Sequence, residues 1–283
     1  MSVAVVTGAS RGLGRALAGE LAARGWDLVV TARGARALAE AASELARAPG
    51  VRVTAVAGDV SSAEHRGALV AAARALGGLD LLVNNAGVLG TEPLVALAAQ
   101  PLDGLREAFE VNVVGPLGLV QEALPLLREA GAGAGAVLNI SSDAAVVAYG
   151  TWGAYGATKA AGDLLSAVLA VEEPALRVWW ADPGSMRTRM VAAAEPGEDL
   201  AGLPAPEEVA PVLLRLVTEG LPSGRYTAQG LEAPAAGAGA GEPGAVPGAG
   251  EPGAGEPGAG EPGAGEPGAG EPGAGEPGAG EPG

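Results

Sequence analysis

The sequence contains no cysteine, which excludes disulfide bonds and thiolate chemistry. It also lacks any run of 18 apolar residues, so no segment has the composition of a membrane-spanning helix. Histidine occurs once, at position 65, and we expect His65 to lie on the surface because it falls at the polar start of a predicted helix. No group of histidine, aspartate and glutamate has the spacing of metal ligands, so we predict no metal site.

Basic residues are scarce. The chain has 17 lysines and arginines against 33 aspartates and glutamates, and its formal net charge is −16. The charge falls to −8 when the eight glutamates between positions 242 and 281, which have no basic neighbour, are set aside. An acidic body argues against nucleic acid or a membrane surface as a partner. The sequence starts with neither a charged segment nor a long apolar core, so we expect a cytoplasmic protein.

Residues 232–283 differ in composition from the rest. They are almost entirely glycine, alanine, proline and glutamate, and from Glu251 they repeat the pentamer EPGAG. Such a segment has too few apolar groups to offset the entropy cost of ordering, so we expect a disordered tail. Residues 1–231 suffice for one domain with a sizeable core. An alternative gives the tail its own role, as a solubility or interaction arm.

Short apolar runs alternate with alanine- and leucine-rich stretches through residues 1–231. This alternation predicts an α/β domain with a Rossmann-like, doubly wound parallel sheet that helices cover on both faces. Strands are expected over 3–7, 27–32, 51–57, 79–83, 136–140, 177–181 and 224–227. Helices are expected over 12–24, 35–48, 61–76, 103–129, 151–171 and 207–218. Ligands of such sheets bind at the carboxyl ends of the strands, so the chemistry should follow the strands.

The first predicted strand is followed by TGASRGLG, residues 7–14. Gly8, Gly12 and Gly14 would let the backbone approach a pyrophosphate at the start of a helix, where free N–H groups and the helix dipole favour an anion. A glycine-rich turn with no ligand is the alternative. The position between the first strand and the first helix favours a dinucleotide site.

Arg33 stands nineteen residues after this loop. A Rossmann domain carries an acidic residue near this position for the ribose 2′-hydroxyl of NAD, or an arginine for the 2′-phosphate of NADP. A guanidinium binds a phosphate that a carboxylate would repel, and Arg11 adds a second cation. We therefore favour NADP(H) over NAD(H). The alternative is that Arg33 is a solvated residue at the start of a helix.

Lysine occurs once, at position 159, four residues after Tyr155. Residues at this spacing share one face of a helix. A free tyrosine titrates near ~10, and a nearby ammonium favours the phenolate, so the pair suits acid–base chemistry near neutrality. A compact ammonium can also aim its donors at ribose hydroxyls, whereas a planar guanidinium has a different reach and geometry. A surface lysine beside a packed tyrosine is the alternative.

Five motifs, in order, resemble the short-chain dehydrogenase/reductase family over about residues 3–227. They are TGASRGLG, GDV, NNAG, YGATK and DPGSMRT, at positions 7–14, 58–60, 84–87, 155–159 and 182–188. The resemblance implies hydride transfer between a nicotinamide cofactor and a carbonyl compound or secondary alcohol, with Tyr155 as the acid and base. The expected cofactor site comprises Gly8, Ser10, Arg11, Gly12, Leu13, Gly14, Arg33, Asp59, Val60, Asn85, Ala86, Gly87, Tyr155, Lys159, Pro183, Gly184, Met186 and Thr188.

The resemblance also implies that Asn112 and Ser142 join Tyr155 and Lys159 as catalytic residues. Ser142 has the family's spacing, 13 residues before the tyrosine, and would stabilise charge on the substrate oxygen. Asn112 precedes Pro116 by four residues, and the missing N–H of proline frees the Asn112 carbonyl to hold a water and predicts a local kink. The alternatives are a polar strand end and an asparagine tolerated in a helix.

The expected substrate is a small or medium carbonyl compound or alcohol. Mostly apolar residues would wall its pocket: Val146, Val147, Tyr149, Trp152 and the segment 186–203. The family resemblance implies a homodimer or homotetramer that associates through the helices at 103–129 and 151–171. Two other interpretations stay open, an NAD-linked alcohol dehydrogenase and a catalytically silent NADP-binding sensor. The intact catalytic set argues against the sensor.

Overall fold

A computed structural model of the chain describes residues 1–130 and 135–232. The predicted disordered tail lies outside the described residues, except for its first residue, Glu232. That residue ends the last described helix, α10 (Ala228–Glu232).

Seven strands form one parallel sheet. They are β1 (Val3–Thr7), β2 (Asp27–Ala32), β3 (Val53–Ala57), β4 (Leu81–Asn84), β5 (Ala136–Ile140), β6 (Arg177–Asp182) and β7 (Gly224–Thr227). Their order in the sheet is β3-β2-β1-β4-β5-β6-β7. The chain therefore winds outward in both directions from the junction of β1 and β4, which confirms the predicted Rossmann-like fold.

Helices connect the strands and cover the sheet. They are α1 (Gly12–Ala23), α2 (Ala35–Leu45), α3 (Ala63–Leu76), α4 (Leu102–Phe109), α5 (Gly115–Arg128), α6 (Gly153–Glu172), α7 (Arg189–Ala194), α8 (Pro206–Leu213) and α9 (Arg215–Thr218), followed by α10. Within the described part of the chain, no helix is long and apolar enough to cross a membrane.

Two apolar layers sandwich the sheet, because its central strands are apolar on both faces. Ala4 and Val6 of β1 pack in the layer that holds Leu17 of α1. Val3 and Val5 of the same strand belong to the opposite layer, with residues of α3 and α5. Alternate side chains point to opposite faces of a strand, so continuous apolar runs fit a sheet covered on both sides.

One long helix was expected over 103–129, and the structure divides it. Residues Glu110–Val114 form a π-helical turn between α4 and α5. Pro116 cannot donate a hydrogen bond to the carbonyl of Asn112, and the wider turn accommodates this missing bond. The kink predicted from the proline is therefore a π-turn, and Asn112 lies within it.

Candidate active site

A cleft of about 940 Å³ runs along the carboxyl ends of the central strands. Every residue predicted for the cofactor site lines this cleft except Gly14, which lies behind the glycine loop. Ser142 lines it as well, whereas Asn112 does not. Parallel strands bring their carboxyl ends to one edge of the sheet, which is why residues far apart in the chain meet here.

The glycine loop forms a cradle that side chains would fill. Gly8 and Gly12 have φ values of +69° and +55°, a conformation that favours glycine. A Cβ atom on Gly14 would lie 2.5 Å from the carbonyl oxygen of Gly8. The loop thus leaves room for a ligand to approach the free backbone N–H groups at the start of α1, an arrangement that suits a pyrophosphate. The cradle fits a dinucleotide.

Thr7, at the end of β1, connects the glycine loop to the segment after β4. Its hydroxyl accepts hydrogen bonds from the backbone N–H groups of Asn85 and Ala86, at 2.9 and 3.0 Å, and donates to the carbonyl of Val83. The Asn85 side chain donates in return to the carbonyl of Thr7 at 2.8 Å. This buried threonine had no predicted role, although it begins the glycine motif.

Arg33 and Asp59 stand at the far end of the cleft. The Arg33 side chain is 60% exposed, and its guanidinium lies 3.8 Å from the Glu107 carboxylate. Asp59 accepts hydrogen bonds from the N–H and the hydroxyl of Ser61, at 2.9 and 2.8 Å. The backbone bond from Ser61 and the charge of Arg33 help to lower the pKa of Asp59. This rim therefore presents an ionised carboxylate and an accessible arginine.

His65 is buried, and the prediction that it lies on the surface was wrong. Its Nε2 atom is 2.8 Å from the hydroxyl of Thr31, and its ring packs against Gly58, where a Cβ atom would clash. Burial lowers the pKa of His65 and so favours its neutral form. The sequence pattern missed this because the first turn of α3 folds under the ends of β2 and β3.

Lys159 and Tyr155 lie side by side on α6, both buried. The Lys159 ammonium donates to the carbonyl of Ile140, the last residue of β5, at 2.6 Å. It lies 5.5 Å from the centre of the Tyr155 ring. Burial lowers the pKa of Lys159 to about 8, and the charge of Asp163 opposes this shift.

The Tyr155 phenol is held in its protonated form. Burial raises its pKa, the carboxylates of Asp182 and Asp143 raise it further, and the Ser142 hydroxyl has a smaller opposing effect. The spacing of Tyr155 and Lys159 had predicted a lowered pKa for Tyr155, with the Lys159 charge supplying part of the shift. In the described residues alone, burial and the two carboxylates dominate instead.

Asn112 connects α6 to the segment after β4. Its amide nitrogen donates to the carbonyl of Val88 and to the hydroxyl of Thr158, both at 2.9 Å, and its amide oxygen accepts from the Val88 N–H. Asn112 and Lys159 both line a separate cavity of about 60 Å³. A cavity of this size has room for ordered water.

Ser142 follows β5, and its hydroxyl donates to the Asp143 carboxylate at 3.0 Å. Tyr149 donates to the same carboxylate at 2.8 Å. Tyr149 and Trp152 line the cleft as expected, but Val146 and Val147 are exposed and do not. The short helical turn after Ser142 points these valines outward and brings Asp143 into the wall.

Asp182 is a second carboxylate in the cleft that sequence analysis did not assign. It ends β6 and accepts a hydrogen bond from the Gly184 N–H at 2.9 Å. Burial raises its pKa, and the charge of Asp143 acts in the same direction. The motif DPGSMRT contains this residue, so its position at a strand end was the available signal. The described residues contain no group of three or more ligating side chains that could hold a metal ion.

The family model for short chain dehydrogenases matches residues 2–199. The chain belongs to this family. It is 41% identical to an uncharacterized oxidoreductase of Methylorubrum extorquens over 171 residues, 60% of this chain and 66% of that one. It is 37% identical to the sepiapterin reductase of Rattus norvegicus over 67% of this chain and 76% of the reductase.

Solved structures agree with the family match. A short chain dehydrogenase of Escherichia coli in complex with NADPH superposes with a TM-score of 0.74, at 30% identity, over 81% of this chain and 96% of that one. The chain is therefore a member of a family of nicotinamide-dependent oxidoreductases, and the cleft lies where such a fold binds its ligands.

The glycine cradle predicts opposite effects for two substitutions on α1. Gly14→Ala forces a Cβ atom against the backbone of Gly8 and should lower the free energy of unfolding by about 1–3 kcal/mol. It should also weaken NADPH binding, since the cradle must shift. Gly19→Ala, where a Cβ atom meets nothing within 4 Å, should stabilise the helix by about 0.5–1 kcal/mol.

Urea unfolding and the quenching of protein fluorescence by NADPH measure the two effects. Equal stability and equal NADPH affinity in the two variants would contradict the assignment of the loop as a tight nucleotide cradle.

Proposed function

We propose that this short-chain dehydrogenase is an NADP(H)-dependent oxidoreductase that interconverts a carbonyl compound and a secondary alcohol. The observation that carries the proposal is the meeting of Tyr155, Lys159 and Ser142 in the same cleft as the glycine cradle. When bound, the nicotinamide supplies the hydride in reduction or accepts it in oxidation. The rest of the chemistry is a proton transfer, which falls to the protein.

Tyr155 is the proposed acid in reduction. Its phenol is protonated in its buried site, so it can give a proton to the substrate oxygen as that oxygen gains charge. The Ser142 hydroxyl, on the same side of the cleft, would donate a hydrogen bond to that oxygen and stabilise the charge. In oxidation the same groups act in reverse, with the phenolate as the base.

Lys159 is proposed to hold the cofactor ribose and to restore the proton. One of its N–H groups is used by the Ile140 carbonyl, which leaves two donors for ribose hydroxyls. The cavity shared with Asn112 would hold the water from which the proton returns. Asn112 is accordingly proposed as the fourth catalytic residue, through the backbone carbonyl that Pro116 leaves free.

Arg33 supports the preference for NADP(H). Its guanidinium is exposed at the cleft rim, and its 3.8 Å approach to Glu107 is too long for a strong competing bond. The bound NADPH of the Escherichia coli neighbour agrees with this preference. An NAD-linked alcohol dehydrogenase is the second candidate, and the cofactor test below separates the two.

We also propose that residues 1–231 are the catalytic domain and that it associates as a homodimer or homotetramer. The support is a set of exposed apolar side chains on neighbouring helices α5 and α6: Leu117, Leu164, Leu165, Val168 and Val171. Exposed apolar side chains that share a helix face are typical of an interaction surface.

Tyr155→Phe should abolish turnover and leave NADPH binding nearly unchanged. The assay follows NADPH oxidation with a panel of ketones and aldehydes, including sepiapterin because one relative is named for it. Positioned acid–base groups supply about 10²–10⁴-fold, so the rate should fall by that factor. Tyr226→Phe, whose phenol donates to the Pro222 carbonyl outside the cleft, is the matched control. If the Tyr155→Phe variant kept more than about a tenth of the wild-type rate, another group would be the acid.

Arg33→Asp should shift preference from NADPH toward NADH, because it removes a phosphate ligand and installs an acceptor for the ribose hydroxyl. The ratio of kcat/KM values for NADPH and NADH should fall by roughly tenfold or more. Arg36→Asp makes the same charge change at a side chain that is 93% exposed and outside the cleft, and should leave the ratio unaltered. If the kcat/KM ratio changed equally in both variants, Arg33 would act only through the general charge of the surface and not by contact with the 2′-phosphate.

A further inference from the structure

Asp163 is a nearly buried carboxylate one helical turn after Lys159, and neither the sequence motifs nor the proposed mechanism uses it. Its side chain is 14% exposed. Asp163 and Lys159 line the same 60 Å³ cavity. A carboxylate is costly to bury without partners, so its contacts indicate what it does.

Two side chains hold the Asp163 carboxylate from different parts of the sheet. The Ser141 hydroxyl donates to one oxygen at 2.5 Å, and the Arg225 Nε donates to the other at 3.0 Å. Arg225 lies in β7 and reaches back to donate from Nη2 to the carbonyl of Ser142, also at 3.0 Å. Asp163 therefore joins α6, β7 and the segment after β5.

The last residue of β5 and the two residues after it are held by Asp163 and by its neighbours Lys159 and Arg225. The Ile140 carbonyl accepts from Lys159, the Ser141 hydroxyl bonds to Asp163, and the Ser142 carbonyl accepts from Arg225. The next polar group along the chain is the hydroxyl of Ser142, a residue that lines the cleft. The position of that hydroxyl relative to Tyr155 thus depends on an ion pair, Asp163 with Arg225, whose two residues do not line the cleft.

The charge of Asp163 also affects the pKa of Lys159. Burial lowers the pKa of Lys159 to about 8, and Asp163 is the charge that opposes this. Among the described residues, Tyr155 on α6 and Arg225 on β7 are the charged or titratable groups in contact with this pair. Asp143 after β5 and Asp182 at the end of β6 act on Tyr155. Without the Asp163 charge, the pKa of Lys159 would fall further, and the ammonium would lose its proton at a lower pH.

We propose that Asp163 is a positioning residue of the reaction: with Arg225 it fixes Ser142 in place, and its negative charge keeps Lys159 in the ammonium form. This inference rests on the proposed function for its consequence in turnover. The charge effect on Lys159 is a property of the fold and is testable without any substrate.

The single lysine of the chain makes the charge effect directly measurable. Full-length protein labelled with [ε-¹³C]lysine gives one side-chain NMR signal, whose shift against pH is the titration of Lys159. In Asp163→Asn the midpoint should fall by roughly one pH unit, because an opposite charge next to the ammonium is lost. Arg225→Met should move the midpoint the other way, since it removes a cation and leaves the Asp163 charge unneutralised.

Glu172→Gln is the matched control, an equal charge change at an exposed residue of the same helix, and should leave the midpoint in place. An unchanged midpoint in Asp163→Asn overturns the proposal, and so does a downward shift in Arg225→Met. If Asp163→Asn does not fold, as judged by circular dichroism, the direction of the shift in Arg225→Met decides alone.

Turnover with NADPH and a carbonyl substrate tests the positioning effect. Asp163→Asn should lose kcat increasingly as pH rises from 6 to 9, because Lys159 loses its proton earlier. Arg225→Met should lose about tenfold in kcat at every pH, with KM for NADPH unchanged, since a small misplacement of Ser142 is costly. A kcat loss in Asp163→Asn that does not vary with pH would show a merely structural role. If the wild-type protein turns over no carbonyl compound, the proposed function fails while the lysine titration still judges the charge effect.

Discussion

The bond between the Lys159 ammonium and the Ile140 carbonyl joins the long helix α6 to the end of β5. The Lys159 ammonium is buried, away from the water that would otherwise solvate it, and this burial lowers the pKa of Lys159 to about 8. The groups around Lys159 help to stabilise its buried charge. Tyr155 covers the ammonium, Asp163 supplies an opposite charge, and a small cavity beside it has room for water.

The parallel sheet explains why one buried charge can organise a whole cleft. The ends of β1, β4, β5 and β6 lie side by side, so the glycine cradle, the Thr7 links and the Lys159 region share one edge. Polar residues lie at or just after the ends of these strands, where the apolar layers stop. At the same edge, the negative charges of Asp143 and Asp182 act on the Tyr155 phenol. These charges would also stabilise a positively charged cofactor ring bound there.

Local patterns were sufficient to predict the sheet and most of its helices, because apolar alternation acts over a few residues. The family resemblance implied the cofactor-site residues, of which all but Gly14 line the cleft. Contacts between distant segments were not predictable in this way. His65 is buried through the path of α3, the proline kink is a π-turn, and Val146 and Val147 turn outward while Asp143 turns in. Asp163 had a weak signal, its i, i+4 spacing from Lys159, but its partner Arg225 lies 62 residues away.

In the proposed reaction, Tyr155 is an acid whose strength depends on its burial and on neighbouring charges, which would include that of the oxidised cofactor. Ultraviolet titration of tyrosinate in the protein with and without NADP⁺, with Tyr155→Phe protein as the reference, tests this most directly. We expect a tyrosinate signal that appears at lower pH when NADP⁺ is bound and is missing from the Phe variant. A titration that NADP⁺ does not change, or a shift that persists in the Phe variant, would contradict it.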